Sequence, residues 1–198
     1  MGAAVIVMKK GGGKNKGSEF EREVGRILSR WISDGKKDDL FTRTVTSGGK
    51  FTTALKKGKS SGEAGDLMGA NPMAYEFSSR ILVECKHWNR LDFSDFLLGY
   101  GELYKALLHT QTQACIVKKQ WMLIVRQNWC PIIVMMPLDI FLNRELHHHK
   151  LFERTIVMLR LKDFLGGTVP ETIFEMVDEI KRKKRIRISF EPALTNLE

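Results

Sequence analysis

Cysteine is scarce in this chain, and its placement excludes more than its number does. Cys85, Cys115 and Cys130 are odd in count, widely spaced and form no Cys-x-x-Cys pair. Neither a disulfide framework nor a zinc or iron–sulfur cluster is expected from them, and a reducing compartment fits. Long apolar runs are also missing: none approaches the ~18 residues that a membrane span needs. The opening stretch, Met1 to Lys10, is apolar over too few residues and carries its charges after them, against the order of a secretory signal. Ile6 stands where myristoylation requires Ser or Thr. A cytoplasmic protein with no membrane partner is expected. No internal repeat is visible, which argues against a solenoid.

What is present is positive charge on a foldable chain. Lysine and arginine number 32 against 23 acids, a formal charge of +9, and 43% of the 198 residues are hydrophobic. That balance favours a polyanionic partner, because each phosphate neutralised by Lys or Arg releases condensed counterions. The length suits one domain with elaborations.

Residues 1–17 are rich in Gly and Lys and read as a flexible basic arm, with Lys14 and Lys16 available for loose phosphate contact. A helix is predicted from Ser18, where Ser18-Glu19-Phe20-Glu21 matches a capping box. Phe20, Val24, Ile27, Leu28 and Trp31 then share one face, with Glu21 at its edge. Phe41 to Ser47 alternates as a strand, and the Gly-, Ser- and Lys-rich stretch to Gly65 reads as a mobile loop carrying Lys50, Lys56, Lys57 and Lys59. Two further strands follow, Asp66 to Ala70 and Ile81 to Lys86, joined by a turn at Asn71-Pro72 and a short connection. A long helix from Leu91 to about Ala114, with Phe96, Leu97, Tyr100, Leu103, Tyr104 and Leu107 on its apolar face, precedes strands at Trp121–Val125 and Ile132–Met136. Leu151 to Leu161 reads as another strand. Glu171 to Lys184 reads as a helix burying Ile173, Met176, Val177 and Ile180, with Lys181, Arg182, Lys183 and Lys184 completing its macrodipole. The expected packing is α/β: a mixed sheet flanked by helices over residues 18–137, with residues 138–198 as an α/β extension packed on it.

The chemistry concentrates in four residues. In Arg80-Ile81-Leu82-Val83-Glu84-Cys85-Lys86, strand alternation puts Glu84 and Lys86 on one face and Ile81, Val83 and Cys85 on the other. Asp66 opens a short apolar run upstream, and Glu21 approaches from the helix edge. Two carboxylates suit a hard, oxygen-loving cation such as magnesium, and the backbone carbonyl of Cys85 could complete the protein's share. Phosphodiester hydrolysis needs a nucleophilic water and stabilisation of charge on the phosphate; metal and lysine can meet both needs. Glu21 would act through water or on a second ion.

Lys16-Gly17 with Glu21-Arg22-Glu23, then Arg43 to Gly49 (which includes Ser47), Gly65-Asp66-Leu67 and Val83-Glu84-Cys85-Lys86, resembles the PD-(D/E)xK nuclease superfamily, and within it the archaeal and phage Holliday junction resolvases. The match covers about residues 16–136. The resemblance implies a restriction-endonuclease-like core, magnesium with manganese able to substitute, cleavage of branched DNA in recombination, and a homodimer, in the host cytoplasm if the source is viral. Position by position, Glu21 resembles the family's helix-one glutamate, Asp66 its motif aspartate, and Glu84 and Lys86 its terminal pair. Ala64-Gly65 stands where many members carry proline before the aspartate.

Each residue has a plainer reading. Glu21 sits at the third position of a capping box, Asp66 can cap a turn, and an exposed Glu84–Lys86 pair is worth less than about 1 kcal/mol. Their joint order favours the nuclease. A duplex endonuclease of repair, restriction or genome processing, and an inactive DNA-binding module of the same fold, are the alternatives. His147, His148 and His149 are adjacent and cannot all face one ion from regular structure. His87 points away from Lys86 and reads as structural. The Lys181–Lys184 run is either a solvated helix end or a DNA contact.

Overall fold

A computed structural model describes residues 12–44, 64–137 and 156–194, with the side chains of 12–14 and 183–194 outside the description. Its elements in chain order are α1 (Gly12–Ile32), β1 (Phe41–Arg43), β2 (Leu67–Gly69), α2 (Pro72–Arg80), β3 (Ile81–Trp88), α3 (Phe93–Leu97) and α4 (Gly101–Ile116). β4 (Gln120–Gln127), β5 (Ile133–Pro137), β6 (Ile156–Arg160), α5 (Leu161–Gly167) and α6 (Pro170–Leu194) follow.

The main sheet runs β3-β4-β5-β6, and β1 and β2 form a separate antiparallel pair. β3 and β4 are parallel, with Lys86 opposite Val125, and the later pairs are antiparallel. A parallel pair needs a crossover, which α3 and α4 supply. β4 is buried continuously from Trp121 to Val125, as a strand covered on both faces must be. On one face Ile81, Val83, Cys85, Met122 and Ile124 pack beneath Phe20, Val24 and Leu28 of α1, Phe77 of α2 and Ile173 and Val177 of α6. On the other, Leu82, Leu123, Val125 and Met135 meet Phe96, Leu103 and Leu107 of α3 and α4.

Several expectations change. α1 starts at Gly12, not Ser18, so residues 12–17 are helical rather than a free arm. Lys16 explains the extension: its ammonium donates to Asn89 Oδ1 at 2.6 Å and Asn128 Oδ1 at 2.5 Å, tying the first turns of α1 to the ends of β3 and β4. The connection between β2 and β3 is a nine-residue helix, capped by the Asn71 side chain on Ala74 N–H and opened by Pro72. The long helix from Leu91 is two helices, broken where Gly99 and Gly101 take φ of +82° and +84°. A side chain on Gly101 would meet Asp95 Cβ at 2.7 Å. The break turns Leu97 and Tyr100 outward, each 52% exposed, instead of into an apolar face. α6 continues to Leu194, so Lys181–Lys184 lie mid-helix and do not complement its macrodipole. β6 pairs with β5, and Ile173 and Val177 join the core of α1. β6 and α6, both beyond residue 137, therefore join the same sheet and the same core.

Candidate active site

Ser29 sets the site's outer frame. Its buried hydroxyl donates to Gly25 O at 2.7 Å and accepts from Leu40 N and Phe41 N at 3.0 and 3.2 Å, fastening β1 to α1. β1 then delivers Thr44 beside Gly65 and Asp66. Thr44 N donates to Asp66 O at 3.0 Å, and Thr44 Oγ1 donates to Gly65 O at 2.6 Å. On the other side, Asp66 N donates to Val83 O at 2.8 Å, and Asp66 Oδ2 accepts from Cys85 N at 2.8 Å. Asp66 is thus clamped between Thr44 and the free edge of β3. Within a strand the N–H and C=O of one residue share an edge. The Cys85 carbonyl accordingly lies on the edge that faces Asp66.

Gly65 makes this approach possible. Its φ is +88°, and a Cβ there would stand 2.7 Å from Val83 O. The same fact accounts for glycine in place of proline before the aspartate, since proline cannot take positive φ.

Glu84 and Lys86 share a face of β3 as strand alternation requires, and Lys86 Nζ donates to Glu84 Oε1 at 2.5 Å. Asp66 and Glu84 are 3% and 5% exposed. Burial pushes the Asp66 carboxyl up to about 7, the Glu84 charge pushes the same way, and Lys86 and the Cys85 N–H oppose them. For Lys86, burial works against the ammonium, but Glu84 and Asp66 outweigh it and hold its pKa above the ordinary lysine value. Lys86 therefore stays protonated and is a charge donor, not a base. Burial first, then Asp66 and Glu84, raises the Cys85 thiol well above its usual range, which leaves it without nucleophilic character at neutral pH.

Glu21 is close enough that its charge adds to the upward push on Asp66, but its side chain is ion-paired with Arg43 of β1. Glu21 is not a capping residue, since α1 begins nine positions earlier, at Gly12. Among the described residues no group of three or more His, Cys, Asp and Glu side chains is arranged to hold a metal. The oxygen donors brought together are Asp66, Glu84 and the Cys85 carbonyl. Two buried carboxylates, one with its pKa raised by burial and then by the other's charge, are the donor chemistry that a hard divalent cation relieves, so the residues fit such an ion.

The chain belongs to a phage PD-(D/E)xK endonuclease family. A family model described as "phage putative PDDEXK endonuclease" matches residues 12–188, from the start of α1 well into α6. No curated protein and no solved structure matches the chain. The mixed sheet with helices on both faces is the restriction-endonuclease-like architecture of PD-(D/E)xK proteins. A nuclease of this family would bind DNA, and no helix among the described residues is long and apolar enough to cross a membrane.

The basic residues expected at the nucleic acid separate. Ser47, Lys50, Lys56, Lys57 and Lys59 lie outside the described residues, as do His147–His149 and the side chains of Lys14, Lys183 and Lys184. Lys16 is held by Asn89 and Asn128, and Arg43 by Glu21. Lys181 and Arg182 sit with Asp178, which pairs with Arg80 at 3.2 Å. Arg80 precedes Lys86 by six positions on the chain, roughly 20 Å along the strand, so that patch is at the far end of β3. His87 bonds Asn128 Oδ1 through Nε2 at 3.1 Å and its ring lies tilted against Phe20, in keeping with a structural role.

Arg22 and Arg26, absent from the DNA contacts expected from sequence, face a cleft of mixed charge beside Glu21. Its volume is about 470 Å³, and Arg43, Asp38, Asp39 and Leu67 also line it. The signal was the spacing of Arg22 and Arg26, four residues apart on one side of α1. The double variant Arg22→Ala/Arg26→Ala is expected to weaken DNA binding for all sequences alike. The slope of log affinity against log salt should fall by about 2, one for each lost phosphate contact. An unchanged slope in a salt titration by anisotropy would remove this cleft from the DNA path.

Proposed function

We propose that the chain is a divalent-metal-dependent endonuclease that hydrolyses phosphodiesters in branched DNA, acting as a homodimer in recombination in the manner of a Holliday junction resolvase. The supporting observation is the buried Asp66–Glu84 pair with a protonated Lys86 on Glu84. Asp66, Glu84 and the Cys85 carbonyl would hold magnesium, with manganese able to substitute. When bound, the ion supplies Lewis-acid charge to the phosphate and lowers the pKa of a water. Lys86 then orients the attacking water and holds the negative charge that grows on the phosphate as the new P–O bond forms and the bond to the leaving sugar oxygen breaks. Glu84 keeps the Lys86 ammonium on the reacting face. Glu21 and Arg43 fix α1 against β1, and Glu21 could reach the site through water or a second ion. Two-fold symmetry would bring two such sites to paired positions in a four-way junction.

An inactive DNA-binding module has no use for a carboxylate pair that raises the energy of its own fold, which favours the catalytic reading. The test is cleavage of an end-labelled immobile junction and its matched duplex with magnesium, using wild type beside Lys86→Ala. Paired nicks confined to the junction are expected, with the variant slower by about 10²- to 10³-fold and still binding. Cutting of both substrates would replace junction resolution with duplex cleavage. A Lys86→Ala enzyme of full activity would remove the role given to the lysine.

A further inference from the structure

We propose that Trp129 is a stacking platform for an unpaired nucleobase, so that DNA with splayed or single-stranded bases is preferred over continuous duplex. The proposal rests on the nuclease reading for its ligand class and extends it to substrate choice. Of the four tryptophans, Trp31 packs against Phe77 and Phe164, Trp121 is 8% exposed, and Trp88 packs against the second core. Trp129 is 103% exposed and touches no core.

Its backbone is as unusual as its exposure. Trp129 has φ of +63°, in the β4–β5 turn, where glycine or asparagine takes the left-handed conformation without strain. A bulky residue held there contributes no burial in return, and such local strain persists where surrounding bonds over-determine it. Those bonds are present. Asn128 N donates to Trp88 O at 3.1 Å and Cys130 N to Gln127 O at 3.1 Å, while Gln127 Oε1 accepts from Leu91 N at 3.0 Å. Asn128 Oδ1 accepts from Lys16 Nζ at 2.5 Å. The indole is carried on a braced turn.

Position and charge select the occupant. Lys86 is paired with Val125, so Trp129 lies four residues beyond the catalytic level on the neighbouring strand, roughly 13 Å along it, at the end where α1 brings Lys16. Arg90 is exposed at the same end of β3. An aromatic face near a held lysine and an exposed arginine, in a chain of net charge +9, matches a base attached to phosphates better than an apolar protein surface. A base inside a continuous stack cannot present its face to the indole. A base at a fork or branch can.

The experiment is anisotropy titration of a splayed fork and a matched duplex, without divalent cations, using the full chain as wild type, Trp129→Ala and Trp129→Phe. Because the side chain is wholly exposed, both variants should fold. Trp129→Ala is expected to weaken fork binding roughly 5- to 100-fold while leaving duplex binding little changed, and Trp129→Phe should recover most of the loss. Equal loss on both substrates, or no loss on the fork, overturns the proposal. So does a change in sedimentation of Trp129→Ala with fork binding intact, which would assign the ring to a second copy of the chain. Cleavage with magnesium is scored separately. If it is absent while fork binding still depends on Trp129, the catalytic reading fails and the stacking role stands; if cleavage persists and Trp129 is without effect, the reverse holds.

Discussion

Asp66→Asn is expected to abolish cleavage and, at about pH 8 without divalent cations, to raise the melting temperature by about 5 °C or more. The wild-type carboxyl is pushed from 3.8 to about 7, chiefly by burial and then by Glu84. For an acid raised in the folded state, the native protein binds more protons than the unfolded chain between the two pKa values. Stability therefore falls as pH rises from about 4 to about 7 and stays low above that. The full cost at alkaline pH is on the order of 4 kcal/mol, from ~1.36 kcal/mol per pKa unit. Asparagine removes the charge while its Oδ1 can still accept from Cys85 N, so the fold keeps the bond and loses the repulsion. Calorimetry from about pH 4 to 8 checks this: the difference between the proteins should grow with pH. Magnesium should stabilise the wild type and not the variant, because only the wild type presents the carboxylate pair. A variant less stable than the wild type at alkaline pH, or a difference that does not vary with pH, would show that Asp66 is not held against its own charge.

Gly65→Ala should cost both stability and cleavage. Alanine at φ of +88° is strained, and its Cβ would come 2.7 Å from Val83 O and 3.1 Å from Leu82 Cγ. Val83 O is backbone in an eight-residue strand whose other edge is bonded to β4, so it cannot retreat without disturbing the sheet. The combined penalty is about 2–4 kcal/mol, seen as a drop in melting temperature of roughly 5–15 °C. The clash also pushes Asp66 away from the Cys85 N–H, which removes a candidate ligand from its place. Gly99→Ala is the control, since its φ is +82° with nothing within 4 Å. It should lose only the strain, about 1 kcal/mol, and keep activity. Equal losses in the two variants would mean that conformational strain, and not the close approach of Gly65 to β3, is what the position demands.

The site was readable wherever its determinants are local. Glu84 and Lys86 share a face because side chains alternate along a strand, and the apolar run around them marks the strand. Phe20, Val24 and Leu28 lie on one buried stripe because a helix returns every 3.6 residues. Local signals failed where a distant residue outweighed them. Ser18 and Glu21 form a good capping box, yet the helix passes through it because Lys16 finds Asn89 and Asn128 across the fold. The apolar spacing after Leu91 suggested one helix, although Gly99 and Gly101 two residues apart were a readable warning of the break.

The architecture class, the family and the identity of the acidic and basic groups could be read along the chain, since periodicity, composition and motif order are properties of neighbouring residues. Tertiary structure alone decided what those groups do to one another. It set Asp66 against the Cys85 N–H, paired Glu21 with Arg43, moved Lys181 and Arg182 to the far end of β3 and left Trp129 in solvent on a braced turn. Each of these depends on residues far apart in the chain, and on burial that strengthens their charges, neither of which a linear pattern records.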